Sequence, residues 1–311
     1  MNHNWPALDY NSYKETVQLV HLWTQIIGKV RLRKMPWLNH SWHVSLYVSP
    51  RGFTTGSIPY ENGLFEIEFD FLNHLLHFRT SAASGGKIAL ESQTVAAFYQ
   101  STFEQLEQLG IPVSIHPAPN EMEPAIPFAE DHRPQTYDPV QMQNLWQAFV
   151  CVHKVFLKFR AGFIGKCSPV HLFWGAFDLA VTRFSGNEAP QHPGGMPNMP
   201  LKVMQEAYSH EVSSAGFWPG SEDSPQPVFY AYCYPTPSEF GSQPVSPEAA
   251  FYSQEMGEFF LPYQAVQESS NPHETLMSFL KSTYQAAAVT GNWDPKLEYD
   301  FSELEYYNNK F

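Results

Sequence analysis

The sequence has few cysteines and few charged residues. Its three cysteines are Cys151, Cys167 and Cys233. They are odd in number and too few to stabilise a chain of 311 residues by disulfide bonds, which is typical of a protein in the reducing cytosol. Charged residues make up 16% of the chain, well below the roughly 25% of an average soluble protein. With 43% apolar residues and 26 prolines, this balance excludes a disordered chain and predicts a large core with ordered loops.

Basic residues are scarce as well. Eighteen Lys and Arg against thirty-one Asp and Glu give a net charge of −13, which repels nucleic acid and anionic membranes. No stretch reaches the ~18 apolar residues of a membrane span, and the first residues lack the basic-then-apolar pattern of a signal peptide. We therefore expect a cytoplasmic protein with a small-molecule ligand and without a nucleic-acid or membrane partner. The sequence does not identify a protein partner.

The common catalytic strings are missing. The sequence contains no G-x-G-x-x-G, H-E-x-x-H or G-x-S-x-G, and the segment 162–167 is two residues too short for a phosphate-binding loop. His40 and His43 are three residues apart, as are His74 and His77, and this spacing puts strand side chains on opposite faces. We therefore assign no metal ligand and no cofactor.

A series of three short sequence segments occurs twice in the chain, in the same order. The offset between the two copies grows along the sequence, as expected if loops lengthened in the second copy. This pattern predicts two duplicated helix–strands–helix units and a functional site at the seam between them. The matching segments are 17–23 with 140–146, 43–47 with 171–175, and 98–103 with 279–284.

Helical and strand patterns alternate in the first half, residues 1–116. The capping box Ser12-x-x-Glu15 predicts the start of the first helix. Alternating apolar residues predict an antiparallel meander from Trp42 to about Thr80. A second helix is predicted from about Thr94 to Leu109, closed by Gly110 in a left-handed conformation.

The second half, residues 138–311, follows a proline-rich linker over 117–137. Asp138 and Pro139 predict the start of the longest helix, and Asn271 predicts the start of the last one. The predicted strand regions between them are 170–184, 212–218, 228–234 and 258–266. The fold class is therefore α+β, with helix–antiparallel sheet–helix units in one integrated globular unit and helices packed on one side of the sheet system.

The segment Lys166–Gly186, which contains His171, Asp178 and Arg183, resembles the signature of a family of bacterial proteins catalogued as a domain of unknown function. The segments Glu206–Gly220, Phe229–Tyr232 and Leu261–Tyr263 agree with the same family. The resemblance covers nearly the whole chain and implies a stand-alone protein of about this length. The resemblance gives no information about an activity or a cofactor.

Two histidines, His43 and His171, occupy matched positions in the two copies. If the halves are related by a pseudo-twofold axis, both imidazoles face the seam, where a neutral imidazole suits proton transfer or hydrogen bonding to a ligand. The alternative is that each histidine is satisfied by a backbone carbonyl.

Charged groups also interrupt apolar strand sequence. Asp178 and Arg183 either pair with each other across a bend, or Arg183 presents its guanidinium to an anion in a cleft. His210 and Glu211 follow a predicted helix at the start of a strand, so only one of them points inward. Glu211 is a general base if it is buried and an ordinary solvated acid if it is not.

Tyr230, Tyr232 and Tyr234 alternate along one strand and share a face. This face either binds a small, partly apolar ligand or packs against the aromatic stripe of the longest helix. The segment 192–197 has the composition of a loop that can cover a pocket.

The preferred hypothesis is a small-molecule binding protein or acid–base enzyme with a polar site at the seam, and whether it is an enzyme stays open. A metal-dependent hydrolase is one alternative, which requires three His or carboxylate side chains within metal-bond distance. A protein-interaction module that uses the acidic surface is the other. The candidate catalytic residues are His171, His210 and Glu211, and the candidate ligand contacts are His43, Asp178, Arg183 and Tyr232.

Overall fold

A computed structural model describes residues 5–299, which form six α-helices and twelve β-strands. The fold is α+β, as predicted. The helices are α1 (Tyr10–Lys34), α2 (Val95–Gln108), α3 (Pro139–Ala161), α4 (Leu201–Ala207), α5 (Tyr263–Gln267) and α6 (Pro272–Thr290). Among residues 5–299, no helix is long and apolar enough to cross a membrane.

The helix ends follow the capping residues of the sequence. Thr94 caps α2, where its hydroxyl accepts a hydrogen bond from the Ala97 amide at 3.1 Å, and Gly110 beyond its end has a φ of 69°. Asp138 caps α3. The predicted start of α1 at Ser12 is wrong, because Asp9 accepts from the Asn11 amide and the helix begins at Tyr10.

The strands form two six-stranded antiparallel sheets. The strands of the first sheet are β1 (Tyr47–Val48), β2 (Gly52–Thr54), β3 (Ile58–Tyr60), β4 (Gly63–Asp70), β5 (Leu75–Thr80) and β6 (Gly85–Ala89). Those of the second sheet are β7 (His171–Phe173), β8 (Asp178–Glu188), β9 (His210–Trp218), β10 (Val228–Tyr234), β11 (Phe251–Ser253) and β12 (Glu258–Pro262). The orders are β1-β2-β4-β5-β6, with β3 on β4, and β11-β12-β10-β9-β8-β7.

The two sheets meet at their outermost strands. Leu46, just before β1, forms a bridge with Leu172 of β7 through two backbone hydrogen bonds of 2.9 and 2.8 Å. The sheets thus join edge to edge, and we call this junction the seam. Each half has a helix, a set of strands and a helix in that order, and residues of both halves share one hydrophobic core. The duplication and the division at residues 116 and 138 stay predictions.

The second sheet has two different faces. Leu179 and Val181 of β8, with Phe217 of β9, lie in the core beneath α3, where Phe149 packs edge-on to Phe217 at 5.1 Å. On the opposite face, the Tyr234 hydroxyl donates to the Pro190 carbonyl, so the loop 189–200 lies over this face. The predicted strand 258–266 is wrong after Pro262, because α5 follows and the Tyr263 side chain turns into the core.

Candidate functional site

The tyrosines of β10 lie on the sheet face that does not contact α3. Their neighbours along the strand, Phe229, Ala231 and Cys233, alternate into the helix-side core and are buried. The alternative that the aromatic stripe of α3 covers the tyrosines is therefore wrong. The tyrosine face is available for a polar site.

Asp178 is the most buried carboxyl group on this face, with 7% of its surface exposed. The hydroxyl of Tyr230 donates a hydrogen bond to its Oδ2 atom. Tyr230 lies on β10 and Asp178 on β8, so the phenol ring crosses the intervening strand β9 at Gly216. A Cβ atom at Gly216 would overlap the Tyr230 ring, so glycine makes this contact possible.

Two glutamates approach Asp178 from other segments. Glu121 comes from the proline-rich linker, where its φ of 57° turns the chain, and its carboxyl group fills the space that a Cβ at Gly175 would need. Glu258 is the first residue of β12. The charge of Asp178 acts on both glutamates. We call Glu121, Asp178, Glu258, Tyr208, Tyr230 and Tyr232 the carboxyl–tyrosine site.

Burial makes these carboxyl groups weak acids. It raises the pKa of Asp178 to about 6, although the hydrogen bond from Tyr230 acts in the opposite direction. Burial and then the Asp178 charge raise the pKa of Glu121 to about 7 and that of Glu258 to about 7. Near neutral pH the site therefore contains both carboxylic acids, which donate hydrogen bonds, and carboxylates, which accept them.

The tyrosine hydroxyls extend this polar surface. The hydroxyls of Tyr208 and Tyr232 lie 2.9 Å apart, and the rings of Tyr230 and Tyr232 stack at 6.1 Å. Burial raises the pKa of both Tyr208 and Tyr232, so they stay phenols. His192 of the loop 189–200 stacks on Tyr208 at 4.6 Å, which places the predicted covering loop beside the site.

Helix α1 fixes the linker that carries Glu121. Gln25 accepts a hydrogen bond from the Asn120 amide at 2.7 Å and donates one to the Asn120 carbonyl at 2.9 Å. Lys29, one turn further along α1, donates to the side-chain oxygen of Asn120, and burial lowers the pKa of Lys29 to about 8. The Glu121 amide itself donates to the Pro197 carbonyl at 3.3 Å. The linker is thus held by α1 and by the covering loop.

The predicted histidine pair lies beside the seam, apart from the carboxyl–tyrosine site. His171 is fully buried, with its Nδ1 atom 3.1 Å from the Ser45 hydroxyl. Burial, with a smaller effect of the Arg31 charge, lowers the pKa of His171 to about 3. His43 is also buried, and its Nδ1 atom lies close to the backbone of Leu38. Both imidazoles are neutral near pH 7.

His210 and Glu211 lie at the start of β9 and are only partly buried. The Glu211 carboxylate accepts hydrogen bonds from Ser185 at 2.6 Å and from Asn187 at 3.1 Å. The ring centroids of His210 and His40 are 5.8 Å apart. Within residues 5–299, no hydrogen bond joins His210 or Glu211 to His171 or Asp178.

Arg183 faces the helices rather than Asp178. Its guanidinium donates to the Phe159 carbonyl and packs on the rings of Phe159 at 3.6 Å and Tyr284 at 4.4 Å. The predicted pairing of Asp178 with Arg183 is therefore wrong, because residues five apart in a strand lie on opposite faces. Burial lowers the pKa of Arg183 to about 10.

Sequence reasoning missed Glu121, Glu258, Tyr208 and Tyr230 as members of the site. For Tyr230 the signal was present, because it shares a strand face with Tyr232. Glu121 gave no signal, since an acidic residue in a proline-rich linker looks solvated.

The described part of the chain contains no group of three His, Cys, Asp or Glu side chains placed to hold a metal ion. A family model described as a family of unknown function, DUF5996, matches residues 5–299. The chain belongs to this family. Membership agrees with the resemblance seen in the segment Lys166–Gly186 and adds no activity to it. Neither a curated protein nor a solved structure matches the chain.

Proposed function

We propose that the chain binds a small polar molecule at the carboxyl–tyrosine site and exchanges protons with it. One observation supports this proposal above the others. Two carboxyl groups, Glu121 from the linker and Glu258 from β12, come within electrostatic range of Asp178 on β8, whose carboxyl group accepts a hydrogen bond from a tyrosine hydroxyl. Assembling like charges in a partly dry environment costs stability, and such costs are typical of functional sites.

The chemistry of the proposed site is acid–base. A carboxyl group works best in proton transfer when its pKa lies near the working pH, which burial achieves for Glu121 and Glu258. In this proposal Asp178 accepts or returns a proton and Tyr230 holds its carboxyl group in place. Because the three groups interact, they titrate as a unit and not as separate residues.

The same site contains two of the predicted ligand contacts, Asp178 and Tyr232. In this proposal Tyr232 and Tyr208 offer hydroxyls and ring faces to the ligand, and His192 closes over it with the loop 189–200. The predicted catalytic residues His171, His210 and Glu211 lie outside this site.

The test is calorimetric titration of ligands selected by a thermal-shift screen of small polar compounds. Each titration is repeated in two buffers with different ionisation enthalpies, because the difference reports the number of protons taken up or released on binding. We expect a non-zero proton count for the unaltered protein and a loss of both affinity and proton exchange in Asp178→Asn and Glu258→Gln.

The matched control is Glu255→Gln, which removes the same charge from an exposed position on the same hairpin. It should leave affinity and proton count unchanged. Binding that survives both Asp178→Asn and Glu258→Gln with its proton count intact would refute the proposal.

A further inference from the structure

The seam holds a buried cation without a counter-ion. Arg31 lies in the last turn of α1 with 5% of its surface exposed. Its Nη1 atom donates to the Thr55 carbonyl, and its guanidinium lies over the Tyr47 ring at 5.4 Å. Among residues 5–299 no carboxylate comes within ion-pair distance of Arg31. Because arginine does not lose its proton in proteins, this charge persists in the interior.

The Nε atom of Arg31 is an unused donor. It is buried and has no hydrogen-bond partner among the described residues. A buried donor left without a partner costs about 1–3 kcal/mol, and more when the group is charged. Nε and the adjacent Nη atom form one edge of the guanidinium. This edge can bind a carboxylate or a phosphate through two parallel hydrogen bonds.

Two imidazoles near Arg31 also have a buried nitrogen without a hydrogen-bond partner among the described residues. His171 and His43 are 0% and 1% exposed, and in each ring Nε2 is buried without a partner among the described residues. The Ser45 hydroxyl lies 3.1 Å from Nδ1 of His171 and 3.2 Å from the Trp42 carbonyl, and Nδ1 of His43 lies 3.2 Å from the Leu38 amide and 3.3 Å from the Leu38 carbonyl. In the tautomer in which Nδ1 of His171 accepts from the Ser45 hydroxyl and Nδ1 of His43 accepts from the Leu38 amide, each Nε2 carries the ring hydrogen. The positive charge of Arg31 acts on both rings, so the three residues share one electrostatic environment.

We infer that the seam binds a small oxyanion, a carboxylate or a phosphate, which accepts hydrogen bonds from Arg31 Nε and from the Nε2 atoms of His43 and His171. Such an anion supplies the missing counter-charge and satisfies the three unpaired nitrogens together. Glu206 is the carboxylate that acts on His43, but it is not within ion-pair distance of Arg31, and its Oε1 atom accepts from Trp37. The net charge of −13 makes unspecific anion binding elsewhere unfavourable.

The experiment compares sodium formate, sodium phosphate and sodium chloride as probes at equal ionic strength and fixed pH. The readouts are the thermal midpoint of the whole chain, calorimetric binding, and the ¹⁵N shift of the His171 imidazole. We expect saturable binding of formate or phosphate, a higher midpoint than in chloride and a shift of the His171 Nε2 signal. Formate alone indicates a carboxylate site and phosphate alone a phosphate site.

The variants separate the proposed contact from general charge effects. Arg31→Lys keeps the charge but loses the two-donor edge, and we expect at least tenfold weaker binding. Arg33→Gln is the control, because Arg33 is exposed in the same helical turn and should bind the probes as the unaltered protein does. Equal midpoints in all three salts with no His171 shift would refute the anion site, and so would undiminished binding in Arg31→Lys. The comparison of the three salts needs only the unaltered protein. It therefore tests the anion site even if Arg31→Lys does not fold.

Discussion

The hydroxyl of Tyr230 reaches over Gly216 to donate a hydrogen bond to Asp178, two strands away in the same sheet. This contact couples a buried acid to a phenol on the surface where the covering loop lies. It also makes the protonation of Asp178 depend on a residue that can be changed without altering the net charge.

Removing the Tyr230 hydroxyl should make Asp178 a weaker acid. The hydrogen bond stabilises the ionised carboxylate and opposes the effect of burial, so Tyr230→Phe should raise the pKa of Asp178 above about 6. The measurement is a ¹³C NMR titration of the aspartate side chains. Tyr234→Phe is the control, because that hydroxyl donates to the Pro190 carbonyl and should leave the Asp178 titration unchanged.

A methyl group at position 216 should displace the Tyr230 ring. Gly216→Ala is expected to lower the free energy of unfolding by about 1–3 kcal/mol through overpacking. Urea denaturation of Gly216→Ala in the native and Tyr230→Ala backgrounds measures the coupling between the two residues. If the steric account is correct, the Gly216→Ala cost largely disappears when the ring is absent. An equal cost in both backgrounds would contradict it.

Glu258 should make the protein less stable as pH rises. Its pKa is about 7 in the folded protein, above the ordinary value of 4.5, so the folded state holds a proton that the unfolded state releases between these values. Stability from this group is present below pH 4.5 and lost as pH rises through 7. As pH rises from 4.5 to 7.5, the free energy of unfolding of Glu258→Gln should therefore increase by about 1–2 kcal/mol relative to that of the unaltered protein, allowing for solvent screening.

The control for this pH dependence is again Glu255→Gln, whose stability difference from the unaltered protein should not change with pH. Burial lowers the pKa of His21 to about 4, and this histidine has the opposite effect on the pH profile, because the unfolded state binds the extra proton. Its contribution is common to all variants and cancels in the difference. Chemical denaturation at a series of pH values provides the measurement.

Loss of Gln25 should free the linker and Glu121 with it. Gln25→Ala removes two partly buried hydrogen bonds to Asn120, and we expect the free energy of unfolding to fall by about 1–3 kcal/mol. Glu121 should then become more solvated, so its pKa should fall from about 7 toward 4.5 in an NMR titration. Gln147→Ala, an exposed glutamine on α3, should change neither quantity. A Glu121 titration that stays near 7 in Gln25→Ala would show that α1 does not position it.

The parts of the fold that depend on neighbouring residues were predictable from sequence. Thr94, Asp138 and Asn271 each cap a helix because their side chains accept hydrogen bonds from amides within three residues. Tyr263 shows the limit of this reasoning. It continues an alternating strand pattern, yet it lies in α5 with its hydroxyl bonded to the Pro6 carbonyl, a contact across 257 residues.

The carboxyl–tyrosine site was only partly predictable for the same reason. Alternation placed Tyr232 and Tyr230 on one face, but which face meets α3 depends on the whole sheet. Glu121 enters the site through contacts of Asn120 with Gln25, 95 residues away. In the sequence Arg31 looks like Arg33, an ordinary basic residue at a helix end, and only the folded structure shows that Arg31 is buried and donates to the Thr55 carbonyl.

The bridge between Leu46 and Leu172 also determines what the protein can pair with. Outermost strands recruit strands from other molecules when their backbone groups are free, and β1 and β7 are each outermost in their own sheet. Here each of these edges is covered at the bridge by the other half of the same chain. If the chain were cut within the linker 117–137, two complementary edges would be exposed, and the resulting fragments would be each other's natural partners.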